Sequence, residues 1–239
     1  MRKLLSYVRR AVDDFSLIDD GDKIAVGVSG GKDSLTLLCA LAQMRRFYPK
    51  KYDVCAITID MGFDGKPFQQ EGIRSLCESL GVEYHVRKTD IAQIIFDIRK
   101  EKNPCSLCAK MRRGALDDEA KALGCNKVAL GHSCDDAIET FFLSLIFEGR
   151  MSCFKPETYL SRKDITVIRP MVYMWEHQVV AFSERQQLPV VKSGCPANGN
   201  TQRQKIKEFI QQQEKDFPGF KEHIFGAISN SKLDGWARE

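Results

Sequence analysis

The chain has 239 residues, 43% of them hydrophobic, enough to bury one large core without requiring a second domain. Nine cysteines, an odd number, argue against a disulfide-built secreted domain, and the opening MRKLLSYVRRAVDDFSLIDD lacks the apolar stretch of a signal peptide; no apolar run is long enough to span a bilayer. A cytoplasmic, soluble protein with no membrane partner is expected, and a net charge of +4 permits an anionic partner without demanding one.

In chain order, a charged N-terminal helix (1–19) precedes an apolar run at 23–30, a helical pattern at 32–48, a second run at 52–60, a helix at 68–80 and a third run at 82–88. A helix at 105–123, a run at 127–133, a helix at 135–148 and a Lys/Arg-bearing loop follow. Runs at 165–171 and 188–194 then flank a helix at 176–187, and two helical stretches close the chain. Strands separated by helices predict right-handed crossovers, hence an α/β fold with a doubly wound, mostly parallel sheet. The expected organisation is a single domain over 1–239, with a core at about 20–195 and a helical extension from 196. Sheets of this kind bind ligands beyond the carboxyl ends of their strands. Here those ends carry SGGKDS, DMGFDG, GHSCDD and SGCPANGN, all rich in Gly, Ser, Asp or Cys.

AVGVSGGKDSLTLL reads as strand, glycine turn and helix start, the layout in which backbone N–H groups hold phosphate. It is neither a Walker A motif nor a dinucleotide fingerprint. Ser29, Gly30, Gly31, Lys32, Asp33 and Ser34 instead match Ser-Gly-Gly-x-Asp-Ser, and the chain resembles the PP-loop pyrophosphatases on all six positions. The glycines admit an oxyanion to the backbone, the hydroxyls and Lys32 donate, and Asp33 would repel phosphate unless Mg²⁺ lay between them. The resemblance implies ATP as substrate, with the adenine near Asp60 and Met61 at the end of the second strand.

NPCSLCAKMRRG places Cys105 and Cys108 at the start of a basic helix. On spacing alone the pair suits a zinc half-site, which needs further ligands such as Cys125, Cys134, Cys153 or His132, or a redox dithiol, for which the fold context is wrong. The ordered set C-x-x-C, AKMRRGAL, LGHSCDD, VIRPM and Cys195 ahead of NTQRQ resembles the tRNA 2-thiocytidine synthetase family, over about residues 10–230. The resemblance implies a [4Fe-4S] cluster on Cys105, Cys108 and Cys195 with one iron free of protein ligand, a tRNA substrate, sulfide or a sulfur donor such as a cysteine desulfurase, and a homodimer. Cys39, Cys55 and Cys77 fall in helix or strand patterns and read as core. Cys134, beside the acidic loop, reads as a passive thiol or an auxiliary sulfur acceptor.

In GHSCDDAIET the two aspartates start a helix, where acidic residues cap and complement the dipole. The resemblance instead implies Gly131 near the nucleotide and Asp135 as acid/base or metal partner; Ser133 stands where relatives commonly carry a second His. Arg112 and Arg113 lie one turn beyond Cys108, so one guanidinium is expected to face the cluster and hold an anion. Lys110, Arg150, Lys155, Arg162 and Lys163 suggest a basic track for RNA backbone, with Phe154 and Tyr159 as its aromatics. Together these residues imply an ATP-dependent tRNA thiolase with Asp135, Asp33 and Arg112 catalytic. The alternatives are a related enzyme acting on another RNA base or a small molecule, and a nucleotide-binding iron–sulfur sensor.

Overall fold

The computed structural model describes residues 1–63, 68–101, 104–191, 194–196, 201–231 and 233–236. Residues 64 and 65 of DMGFDG, and 193 and 197–200 of SGCPANGN, lie outside them.

Six strands form one sheet: β1 (Asp22–Gly27), β2 (Tyr52–Asp60), β3 (Glu83–Lys88), β4 (Lys127–Ala129), β5 (Glu157–Leu160) and β6 (Ile165–Ile168), in the order β3-β2-β1-β4-β6-β5. All neighbours are parallel except β5, which runs antiparallel to β6. This is the mostly parallel α/β architecture expected from the alternating pattern. Helix α2 (Lys32–Met44) packs on one face beneath α1 (Arg2–Asp14), α3 (Glu71–Leu80) and α6 (Glu176–Arg185). Leu35, Leu37, Leu38, Leu41 and Met44 of α2 are fully buried, each contributing about 1.5–3 kcal/mol. Helix α4 (Pro104–Ala122) covers the other face, seating Leu116 and Ala120 on Cys55, Ile57 and Val128. Beyond β4, α5 (Cys134–Leu143), α7 (Gln202–Asp216) and α8 (Phe220–Asn230) enclose a third cluster centred on Trp236, which is completely buried.

Two sequence expectations are corrected. The described part of the run at 188–194, residues 188–191 and 194, does not join the sheet: Val191 N–H donates to Gly30 O at 2.9 Å, so residues 188–191, stiffened by Pro189, lie across the mouth of the glycine turn. The sixth strand comes from the expected loop, where Glu157–Leu160 pairs back on β6 through a turn at Ser161–Asp164. Several helices also begin later or stop earlier than their periodicity suggested; the 135–148 pattern becomes α5 and then a wider π turn at Ser144–Glu148. Among the described residues no helix is long and apolar enough to cross a membrane.

Candidate active site

The carboxyl ends of β1, β2 and β4 open into a cleft of about 870 Å³. Its floor is the turn between β1 and α2. Gly30 adopts φ +82°, and a Cβ there would stand 3.0 Å from the Phe68 ring and 3.1 Å from Val191 Cβ, so only glycine fits. The Ser29 and Ser34 hydroxyls lie 3.2 Å apart, Ser34 Oγ donates to Gly31 O at 2.9 Å, and Ser29 N–H donates to Ser34 Oγ at 3.1 Å. The turn is thus tied to itself and leaves the first amides of α2 aimed outward, as a phosphate cradle requires. Lys32 Nζ lies 3.1 Å from Asp33 and 3.3 Å from Glu176. Burial opposes the Lys32 charge, but the two carboxylates more than offset it and its pKa is raised. Burial also raises Asp33; Lys32 works against this, while Asp136 and Glu176 add to it.

At the β2 end the wall is apolar, formed by Ile57, Ile59, Met61, Phe63 and Phe68. Asp60 organises this wall more than it faces the cavity, because its carboxylate accepts from Gly62 N–H at 3.0 Å and Phe68 N–H at 3.5 Å. On the opposite side Gly131 approaches α2 so closely that a Cβ would meet Asp33 O at 2.9 Å, which brings the β4 loop against the glycine turn.

The three thiols that the resemblance implies lie on segments bordering the cleft, which Ala109, next to Cys108, and Gly194, next to Cys195, both line. Cys108 is half-buried on α4 with Sγ 3.7 Å from Met61 Sδ, Cys105 is exposed one turn earlier, and Cys195 is half-buried next to Gly194, which lines the cleft. Burial pushes the Cys108 thiol up, Arg112 pulls the other way, and Cys195 and Cys105 add to the rise. A soft, all-sulfur donor set of this kind suits an iron–sulfur cluster. Among the described residues no three His, Cys, Asp or Glu side chains close to single-ion spacing. The other six cysteines are buried. Cys134 in particular is sealed, its Sγ donating to Val172 O at 3.1 Å and its pKa driven far up by burial, which removes it as an auxiliary sulfur acceptor.

The double aspartate divides its labour differently from the expectation. Asp135 turns away from the large cleft: its side chain is about 10% exposed, pairs with Lys221 of α8, and accepts from Glu176 N–H at 2.6 Å, so it joins three helices. Asp136 lines the large cleft beside Asp33 while closing a capping box with Ser133, whose N–H it accepts at 2.9 Å. Arg112 and Arg113 both line the cleft from α4 and are exposed. His132 also lines it, with its ring 4.9 Å from that of Phe154. Phe154 therefore backs the His132 ring. Of that track, Arg150 is tied to Glu148 at 2.6 Å and Lys163 to Asp118; Lys110, Lys155 and Arg162 are exposed. Tyr159 is exposed and bonded to Asp164 at 3.0 Å.

A family model described as a PP-loop domain matches residues 4–214. The chain is 41% identical, over 96% of its length and 90% of the relative's, to the tRNA-cytidine(32) 2-sulfurtransferase of Geobacter sulfurreducens. It is 37% identical, over 96% of its length and 84% of the relative's, to the enzyme of that name from Pseudomonas syringae pv. syringae. The chain belongs to the PP-loop tRNA-cytidine(32) 2-sulfurtransferase family. Among solved structures it is similar to the U34-tRNA thiolase NcsA from Methanococcus maripaludis with its [4Fe-4S] cluster, at TM-score 0.75 and 25% identity, covering 99% of this chain and 83% of that one. An NH3-dependent NAD synthetase from Campylobacter jejuni shares the fold, at TM-score 0.52 and 15% identity, covering 100% and 97%.

For this PP-loop family member, sequence reasoning missed three contributors to the site. Glu176 reaches Lys32 from the start of α6, Phe154 reaches His132 from the segment before β5, and Asp136 lines the large cleft while Asp135 lines the smaller pocket beside it with Lys32 and Asp33. Only the last had a signal, the Ser-x-x-Asp spacing of Ser133 and Asp136 that marks a capping box.

Proposed function

We propose that the chain is an ATP-dependent tRNA sulfurtransferase that replaces the C2 oxygen of a cytidine with sulfur. The observation supporting this most directly is that the glycine turn of the PP-loop floors a cleft whose Met61 wall lies 3.7 Å from the Cys108 thiol. Membership of a family whose named relatives act on tRNA cytidine supports that base over the uridine of the thiolase at 25% identity.

In this reading the adenine occupies the apolar end near Met61, and Ser29, Gly30, Gly31, Lys32 and Ser34 hold the phosphates at the α2 N-terminus. Asp33, with Asp136 beside it, would hold Mg²⁺; burial, with Asp136 and Glu176 adding to it, raises the pKa of Asp33, and a divalent cation there would offset both. The cytidine C2 oxygen attacks the α-phosphorus, an O–P bond forms, and the bond to pyrophosphate breaks with its electron pair leaving on pyrophosphate. Hydrosulfide then adds to C2, the C–O bond breaks with AMP taking the pair, and the S–H proton passes to solvent. Cys105, Cys108 and Cys195 would hold a [4Fe-4S] cluster, which would supply a soft site for sulfide. Arg112, beside Cys108, steadies anionic sulfur or phosphate, and Asp135 acts by anchoring the loop that carries Asp136. The target base must leave its stack to enter so deep a cleft. Sulfide arrives free or from a donor such as a cysteine desulfurase. A homodimer is supported by the exposed apolar row Leu145, Ile146, Phe147 and Met151.

The test is anaerobic incubation of the iron-loaded protein with ATP, sulfide and unmodified tRNA, followed by nucleoside mass spectrometry and pyrophosphate assay. 2-Thiocytidine appearing with pyrophosphate is the expected result. Pyrophosphate without a thiolated base, or 2-thiouridine in place of 2-thiocytidine, would overturn the assignment.

A further inference from the structure

His132 has a neighbourhood that the reaction scheme does not use. Its ring lines the cleft, yet its Nδ1 is sealed from solvent with no hydrogen-bond partner, so the Nε2 edge is the one turned to the cavity. A proton on Nδ1 would strand a buried donor, whereas an unprotonated Nδ1 leaves only a lone pair unsatisfied; the proton therefore belongs on Nε2, pointing into the cleft. The groups facing the ring come from four elements: Asp136 on α5, Arg113 on α4, Arg203 on α7, and Arg169 just after β6. Three guanidinium groups against one carboxylate oppose a charged imidazole. Arg169 is itself buried; its Nη1 donates to Lys155 O at 2.5 Å, it sits 5.2 Å from the Phe154 ring, and its Nε has no partner. Among the described residues no carboxylate pairs with it, whereas Arg203 is tied to Glu139 at 2.8 Å. The close approach of Gly131 to Asp33 O places the neighbouring His132 next to the phosphate end of the cleft.

We propose that His132 serves adenylation as a neutral hydrogen-bond donor, its Nε2–H directed at a phosphate oxygen that gains charge, with Arg169 and Arg113 as positioning residues that keep the ring uncharged. The role is electrophilic, not acid–base: a ring already protonated on its cleft-facing nitrogen cannot accept the substrate's proton. Burial, with the arginines adding to it, lowers the pKa to about 4, in keeping with this.

The inference rests on the thiolase reading, and the test separates the two. Isotope-labelled histidine in the full chain, with His132 assigned through His132→Gln, is expected to show the neutral Nε2–H form throughout the range from pH 8 to about pH 5. An Nδ1–H form, or titration near the ordinary histidine value, would overturn the role. Arg169→Met is expected to move the His132 midpoint up by about one unit; an unmoved midpoint would overturn the part given to the arginines. In single-turnover pyrophosphate release with RNA, His132→Ala is expected to lose about 100-fold with little change in KM for ATP, and His132→Gln, which keeps an N–H donor, to recover most of it. Equal loss in both variants, or in neither, refutes the donor role. Failure of the wild type to release pyrophosphate with RNA overturns the thiolase reading and this role with it, whereas release from a protein whose ring is Nδ1–H overturns this role alone.

Discussion

Asp135→Ala and Asp136→Ala separate the two neighbouring aspartates by opposite effects. The Asp135 side chain is about 10% exposed, and its partner Lys221 about 26%, so removing the carboxylate leaves an ammonium short of its counter-ion and the Glu176 N–H without its acceptor. Breaking a buried pair costs about 3–5 kcal/mol. With Lys221 a quarter exposed the expected loss is nearer 2–3 kcal/mol, or about 8 °C in Tm for a chain of this length. Asp136 is about 31% exposed and its structural part is a helix cap, worth about 1 kcal/mol. Its loss should lower Tm by about 3 °C but RNA-dependent pyrophosphate release by about 100-fold or more. Thermal unfolding without ligand and pyrophosphate release on the same preparations give both readings. An Asp135→Ala protein with unchanged Tm and abolished turnover would show that the carboxylate anchoring α8 is the catalytic one and that the geometric argument is wrong.

Three further outcomes are expected. Cys195→Ala should fold and bind ATP while losing most iron and acid-labile sulfide after anaerobic reconstitution; full iron content would remove Cys195 from the ligand set. Asp117, on the buried face of α4, has its pKa pushed from 3.8 up to about 6 by burial, with Arg113 and Lys163 opposing. The folded state therefore holds that proton more tightly than the unfolded chain, and stability falls as pH rises from about 4 to about 6. Asp117→Asn should accordingly match the wild type near pH 4 and exceed it by about 2 kcal/mol at pH 8 in urea unfolding, and equal midpoints at pH 8 would contradict this. Trp236→Ala empties a fully buried site against Phe15, Phe154 and Phe225 and should cost about 3–5 kcal/mol, measured as a fall in denaturation midpoint; a loss under about 1 kcal/mol would mean the aromatic cluster is not a packed unit.

The parts of the site set by local sequence were legible before the fold was known. Ser29 to Ser34 form one unbroken turn whose glycines have a steric reason, and Cys105 and Cys108 lie one helical turn apart on the same α4 face. The order of short apolar runs and amphipathic stretches revealed the parallel sheet because each crossover needs its helix. What failed depends on distant partners. Val190 and Val191 have the composition of a strand, but Val191 N–H is spent on Gly30 O, and Glu157–Leu160 occupies the outer position against β6. Asp135 and Asp136 are adjacent and identical, and nothing local shows that Lys221, 86 positions later, claims the first. Phe154 similarly takes its meaning from His132 and Trp236.

The strap formed by residues 234–236 sets a schedule for the cleft. Asp234 accepts from Ser152 Oγ at 2.9 Å and Cys153 N–H at 2.8 Å, and Trp236 Nε1 donates to Phe154 O at 2.8 Å. The platform under the His132 imidazole is therefore pinned by residues made 82 positions after it, and while those residues are still inside the ribosome a nascent chain has its glycine turn but not its aromatic backing. The backing of the imidazole is thereby the last part of the site that synthesis can complete, long after the glycine turn.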